Sequence, residues 1–212
     1  MLICWTAYEL CQTGTQQSPI PLRLDQGLSL GHAITFDYGS AINGSYYKWG
    51  YGPAFELEQE AGCTVGSAAS NCSITEGLPS ITFEDNGRNE TAYLVSWHIH
   101  SPADHSVQQD RSKAEMHFVH VDASGHERAV VAMRIDPGLQ SKSAFFSQFE
   151  GSYPNFNDTV TQIVDEIDLT LALSEVLHFN EFWTYRGSLT SPPCKHMLHR
   201  DMLPASELSA TY

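Results

Sequence analysis

Trp97-His98-Ile99-His100 and Glu115-Met116-His117-Phe118-Val119-His120 alternate apolar and polar residues at period two, the signature of half-buried β-strands. In a strand, residues i and i+2 share a face and lie about 6.5–7 Å apart at Cα. His98 and His100 therefore point the same way. The segment 101–114 between the two stretches is polar and contains Pro102, so it can return the chain as a long hairpin. That would bring His117 beside the first pair, while His120, of opposite parity, points away. Three neutral imidazoles leaving a fourth position open are the donor set of a catalytic rather than a structural Zn²⁺ site. Glu115, two residues before His117, is placed to accept the other ring N–H and fix the tautomer. Ser96 stands in the same relation to His98. Two rival readings fit the pattern less well: histidines merely satisfied on a sheet face, and a cupin-type site, which needs a carboxylate close behind the second histidine and has only Asp104 there.

Outward from this pair, further segments alternate in the same way: 33–38, 53–58, 81–85, 93–100, 115–122, 129–135 and 182–185. Asn86-Gly87 and Ser124-Gly125 are turn dipeptides between some of them. Helical spacing is rarer and predicts short helices over 143–150 and 158–166. No repeat or linker interrupts the chain. The expected fold is a mainly β single domain, residues 1–212, on a large twisted, mostly antiparallel sheet with a few short helices.

Composition narrows the function classes. Eleven basic against 25 acidic residues give a net charge of −14, which repels phosphate backbones and anionic headgroups, so neither nucleic acid nor a membrane is an expected partner. No run of about 18 apolar residues is present to span a bilayer. Five cysteines (Cys4, Cys11, Cys63, Cys72, Cys194) contain no C-x-x-C pair. Four N-x-S/T sequons, at Asn43, Asn71, Asn89 and Asn157, exceed the roughly one that composition predicts. Together these point to a secreted, glycosylated, disulfide-bonded protein, with one cysteine left over and the pairing open among 15 arrangements. No signal peptide is visible in residues 1–4, so a leader is expected to have been removed or to lie upstream. His32, His126, His178, His196 and His199 sit among polar or turn residues and read as surface histidines.

Two further motifs converge with the histidine stretches. Gln17-Ser18-Pro19-Ile20, the two histidine stretches, and Phe182-Trp183-Thr184-Tyr185-Arg186-Gly187-Ser188-Leu189-Thr190-Ser191-Pro192-Pro193 together resemble the Q-S-P-I, H-x-H…E-x-H-x-V-H and W-T-Y-x-G-S-L-T-T-P-P segments of α-class carbonic anhydrases, most closely those of secreted fungal or bacterial type. The resemblance is strongest over residues 11–194. It implies reversible hydration of carbon dioxide to bicarbonate by hydroxide on a zinc ion held by His98, His100 and His117. Glu115 and His105 would be outer hydrogen-bonding residues. Thr190 would be the gatekeeper, donating to Asp104, where the family usually has the longer Glu. Val119, Val130 and Leu189 would form the wall against which carbon dioxide rests, and Thr190 and Ser191 the entrance. Cys11 and Cys194 match a family disulfide, leaving Cys63–Cys72 as a local pair and Cys4 unpaired.

Departures from the family lead to an expectation of reduced activity. Pro53 stands where a proton-shuttling histidine is usual, in Tyr51-Gly52-Pro53-Ala54-Phe55. The segment before Gln17 is short. Nothing in 195–212 matches the family, so the lost piece would remove core strands and expose apolar sheet. A catalytically impaired binding protein or a truncated product on the same fold is the alternative reading.

Overall fold

The computed structural model describes residues 8–25, 27–29, 34–39, 41–49, 52–58, 77–138, 142–152 and 162–194, together with the backbone course of 196–204 and 208–210. Cys4, Cys63, Cys72, Asn71 and Asn157 lie outside the described residues. Thirteen strands follow one another: β1 (Pro21–Leu22), β2 (Ile34–Asp37), β3 (Ile42–Trp49), β4 (Gly52–Leu57), β5 (Ser80–Asp85), β6 (Arg88–His100), β7 (Ser106–Val107), β8 (Ala114–Val121), β9 (Glu127–Pro137), β10 (Gln162–Ile167), β11 (Phe182–Ser188), β12 (His196–Pro204) and β13 (Leu208–Ala210). Short helices α1 (Glu9–Thr13), α2 (Ala144–Ser147) and α3 (Thr170–Glu175) flank them. No helix among the described residues is long and apolar enough to cross a membrane.

Eleven strands form one sheet in the order β10-β3-β4-β6-β8-β9-β12-β11, with β5 on β6, β2 on β5 and β13 on β9. At 13 residues, β6 is long enough to hold two neighbours on one edge. Its first half pairs with β5, and residues 96–98 pair with β4. Within this sheet, pairing is antiparallel except where β12 and β13 run parallel to β9; β1 and β7 pair in parallel apart from it. Asn86 (φ 54°) and Gly87 (φ 75°) turn β5 into β6, with positive φ at both central residues as a two-residue hairpin requires.

Alternation divides the sheet into two faces. On one, Tyr46, Phe55, Trp97, Phe118, Met116 and Met133 are fully buried. Phe55 stacks on Trp97 at 3.9 Å between ring centroids, and Phe145 of α2 and Phe149 in the turn after it lie against them. Each such ring contributes roughly 1.5–3 kcal/mol of burial, and Trp97→Ala would cost about 3–5 kcal/mol. Ser143 caps α2, its Oγ accepting from the Phe146 N–H. His120 lies on this core face, with its Nε2 2.8 Å from the Tyr38 hydroxyl. The opposite face carries His98, His100 and His117.

Two expectations give way. The helix over 158–166 is not formed across its described part: Gln162–Ile167 is instead the strand β10, pairing with β3 and burying Val164 and Ile167. The open edge of β3 offers backbone partners to this segment, and tertiary pairing overrides its helical spacing. The tail also contributes strands to the sheet. Residues 196–204 lie between β9 and β11, and 208–210 extend along β9.

Candidate metal centre

The register of β6 against β8 sets His98 directly opposite His117 and His100 opposite Glu115. Three imidazoles thus converge on one face. Their ring centroids lie 4.8 Å (98–100), 5.3 Å (98–117) and 4.5 Å (100–117) apart. One ring nitrogen from each lies within 4.8 Å of the others.

Glu115 is wholly buried at the centre of the supporting network. Its Oε1 accepts from His117 Nε2 at 2.6 Å and from His105 Nδ1 at 2.7 Å; its Oε2 accepts from the His105 backbone N–H at 3.0 Å. With His117 protonated on Nε2, the lone pair sits on Nδ1, free of that bond and available to a cation. His105 Nε2 is hydrogen-bonded to the Tyr185 hydroxyl at 2.7 Å, and Tyr185 donates to Ser18 Oγ at 3.0 Å. Ser18 and Ser188 exchange two bonds: Ser18 N–H to Ser188 Oγ (3.0 Å) and Ser188 N–H to Ser18 Oγ (3.1 Å). The Q-S-P-I segment is therefore tied, through β11, to the residues behind the triad. Tyr185, Ser18 and Ser188 were not singled out from the sequence. Only their place inside two matching motifs could have flagged them.

Electrostatics favour neutral ligands. Burial, reinforced by His117 and His100, pushes His98 down to about 2 from its ordinary 6.5. His100 is pushed down to about 4, again first by burial and then by His117, with Asp104 and Glu115 pulling the other way. For Glu115, burial alone would raise the carboxyl, but the hydrogen bonds from His105 and His117 outweigh it and hold it well below the usual carboxylate range. At neutral pH the centre is two uncharged imidazoles, His98 and His100, beside a third that leans on an ionised carboxylate.

A cavity of about 30 Å³ adjoins the triad, lined by His98, His117, Val119, Val130, Ser188, Leu189, Thr190 and Ser191. Asp104 makes no direct hydrogen bond to Thr190. Its Oδ2 is 3.6 Å from His100 Nδ1 and buried without a hydrogen bond. Ser96 is half-buried on the face of His98 and makes no hydrogen bond to it. Pro53 pairs with Lys48, so it has the parity of Phe55 rather than that of Ala54, which lies opposite His98. Cys11 and Cys194 form a disulfide. Asn43 and Asn89 are exposed on β3 and β6, and the Asn43 side chain accepts from the Glu166 N–H at 3.0 Å. His126 and His178 are exposed; the side chains of His32, His196 and His199 lie outside the described residues.

The donor set fits zinc: three nitrogen donors, at least two held neutral, with a carboxylate fixing the tautomer of the third. Comparison with known proteins agrees. The family model for eukaryotic-type carbonic anhydrase matches residues 4–199. Alpha carbonic anhydrase 3 of Arabidopsis thaliana is 26% identical over 196 residues, covering 88% of this chain and 59% of the relative. Dioscorin dioA3 of Dioscorea japonica is 32% identical over 198 residues, covering 88% and 60%. The chain thus spans about six-tenths of the length of these relatives. Among solved structures, the α-carbonic anhydrase of Thermovibrio ammonificans in complex with the inhibitor sulfanilamide superposes with a TM-score of 0.74 at 20% identity, covering 97% of this chain and 78% of that one, a likeness of fold. From its histidine strands, its sheet and the match along nearly its whole length, the chain belongs to the eukaryotic-type, or α-class, carbonic anhydrase family.

Proposed function

We propose that the protein is a zinc-dependent carbonate dehydratase that interconverts carbon dioxide and bicarbonate plus a proton. The observation that carries this reading is a triad of converging imidazoles opening directly onto a small, largely apolar cavity. His98, His100 and His117 would hold the metal. Zinc, when bound, supplies the Lewis acid that lets water lose its proton near neutral pH, as it is established to do in carbonic anhydrases.

The remaining work falls to the chain's own residues. Val119, Val130 and Leu189 offer carbon dioxide a surface without hydrogen-bond donors, so the substrate need not compete with tightly held water. The Thr190 hydroxyl oxygen would accept a hydrogen bond from the attacking hydroxide and so aim the hydroxide lone pair at the substrate carbon. Asp104, one methylene shorter than the family's Glu, would accept the Thr190 hydrogen bond through a bridging water. Ser191 sits at the entrance. Glu115, held by His105, keeps His117 in the metal-binding tautomer. The disulfide and the exposed sequons Asn43 and Asn89 support an extracellular setting.

Pro53 favours a slower variant of the reaction, because it offers no titratable group at the family's shuttle position. A second reading, a binding protein with impaired catalysis, rests on the same observation. Stopped-flow hydration on protein of verified zinc content separates them. The enzyme reading expects one zinc per chain and turnover that climbs with buffer concentration. One zinc and no hydration in strong buffer supports the binding protein, and a folded chain that takes up no zinc defeats both.

A further inference from the structure

Hydration of carbon dioxide to bicarbonate releases one proton per turnover, and the site must shed it before it can act again. Pro53 supplies no carrier, so another group on the triad's face has to. Residues paired across an antiparallel ladder share a face, and two rows of such pairs cross the sheet here. One is Tyr47–Ala54–His98–His117. The next is Ser45–Glu56–Ser96–Val119–Val130, which ends in the wall of the cavity beside the triad. Glu56 is thus the diagonal neighbour of His98, at about 7–8 Å between Cα atoms. The ring of Trp49, on the same face, has its centroid 4.5 Å from that of His98, so this face of β3 and β4 looks onto the triad. Within 45–49, 52–56 and 96–100, Glu56 is the only carboxylate. It is exposed, while Ser96, between it and the cavity wall, is half-buried and has a short side chain. Tyr47, the diagonal neighbour of Glu56, titrates above its ordinary 10, first through burial and then through the Glu56 charge, which agrees with a carboxylate lying over this face.

We propose that Glu56 is the proton carrier of this site, doing what no group at Pro53 can do. The inference rests on the carbonate dehydratase reading above. Water in the site gives up one proton, which crosses the span to Glu56 through bridging waters. A carboxylate oxygen of Glu56 takes it as O–H. Buffer or bulk water then removes it and restores the carboxylate. The exposure of Glu56 serves the second step, and the short Ser96 side chain leaves room for water in the first. Tyr47 stays protonated at neutral pH and cannot take the proton up. Because this transfer follows the departure of bicarbonate, it bears on kcat and not on kcat/KM.

The test uses the full chain. In the zinc-loaded protein, Glu56→Gln should lower kcat in dilute buffer about tenfold or more, since a positioned proton-transfer group contributes on that scale or above. It should leave kcat/KM within about twofold, and concentrated buffer should bring its kcat back to that of wild type. Glu58→Gln, which removes an exposed carboxylate two residues further on, should change none of these. A readout without metal checks the placement. In NMR of zinc-free protein labelled on tyrosine, the Tyr47 hydroxyl should titrate at lower pH in Glu56→Gln than in wild type, because a neighbouring negative charge has gone. Glu56 is exposed, so the substitution leaves the core alone. An unchanged kcat in dilute buffer overturns the relay and leaves the enzyme reading standing. So does a joint fall in kcat and kcat/KM that buffer does not rescue, an equal effect of Glu58→Gln, or an unmoved Tyr47. A zinc-loaded wild type that hydrates no carbon dioxide in concentrated buffer overturns the enzyme reading and the relay together.

Discussion

Glu115→Gln is nearly isosteric and removes one charge, which makes it a sharp probe of the centre. The carboxylate accepts three hydrogen bonds, from His117 Nε2, His105 Nδ1 and the His105 backbone N–H. A carboxamide has one oxygen. Its least costly orientation keeps that oxygen where Oε1 now takes two N–H groups, and turns the NH₂ toward the His105 backbone N–H. Two charge-assisted bonds then become neutral ones, a loss of about 1 kcal/mol each. The third becomes a buried donor facing a donor, costing about 1–3 kcal/mol. The sum, about 3–5 kcal/mol, corresponds to a fall in melting temperature of roughly 10 °C for a chain of this size. Zinc affinity should fall about 10- to 100-fold, since His117 Nδ1 is no longer kept unprotonated as firmly. Competition against a chromogenic chelator measures the affinity, and a thermal melt of the metal-free protein measures the rest. A variant that binds zinc within twofold of wild type and melts at the same temperature would refute the assignment of Glu115 as the group that orients the third ligand.

Acid should weaken the metal-free protein in two stages. His98 and His100 have folded pKa values of about 2 and about 4, below their ordinary 6.5, so the unfolded chain binds more protons as pH falls below 6.5 and stability drops. Glu115, also depressed in the fold, adds a further loss once pH passes below its ordinary 4.5. Urea midpoints at pH 8, 6 and 5 should decline, and a flat series in that range would contradict the buried, neutral state of the histidines. Reducing Cys11–Cys194, which closes a loop of 183 residues, should lower stability by up to about 5 kcal/mol, read as a drop in denaturation midpoint with dithiothreitol. An unchanged midpoint would mean that the bond constrains nothing. Asp85 is buried between Arg128 (2.9 Å) and Arg186 (2.8 Å); Arg128 keeps Glu90 and Arg186 is partly exposed, so Asp85→Ala should cost about 1–3 kcal/mol through the lost buried hydrogen bonds. Thermal melts would expose the error if the loss were well under about 1 kcal/mol.

The site was more legible in the sequence than the fold around it. Period-two alternation identifies β6, β8 and β9 because each buries one face in a core of large side chains. The i, i+2 rule then places His98 with His100 without further help. The motifs carrying Thr190 and Ser191 led to residues that do border the cavity. Strands whose residues are small, polar or mixed left weaker traces. β3 reads Ile-Asn-Gly-Ser-Tyr-Tyr-Lys-Trp, and its Gly44 is required because a Cβ there would lie 2.3 Å from the Glu56 carbonyl oxygen. β10 has helical spacing and becomes a strand only because an edge is waiting for it. Glu56 escaped notice for a similar reason. What brings it to the triad's face is its pairing with Ser96, a property of two strands side by side that a single strand's pattern does not contain.

Among the described residues, β11 pairs in the main sheet with β12, and β12 joins it to β9. Tyr185, behind the histidines, and the 188–191 stretch beside them thus join the sheet ladder through β12, and otherwise through the bonds of Tyr185 and Ser188 to His105 and Ser18 and the Cys11–Cys194 disulfide. A protease cutting within 196–204 would leave every proposed ligand and wall residue chemically intact while cutting the backbone through which one wall is anchored. Sensitivity of the protein to such a nick would make this strand a place where activity can be ended without touching the chemistry.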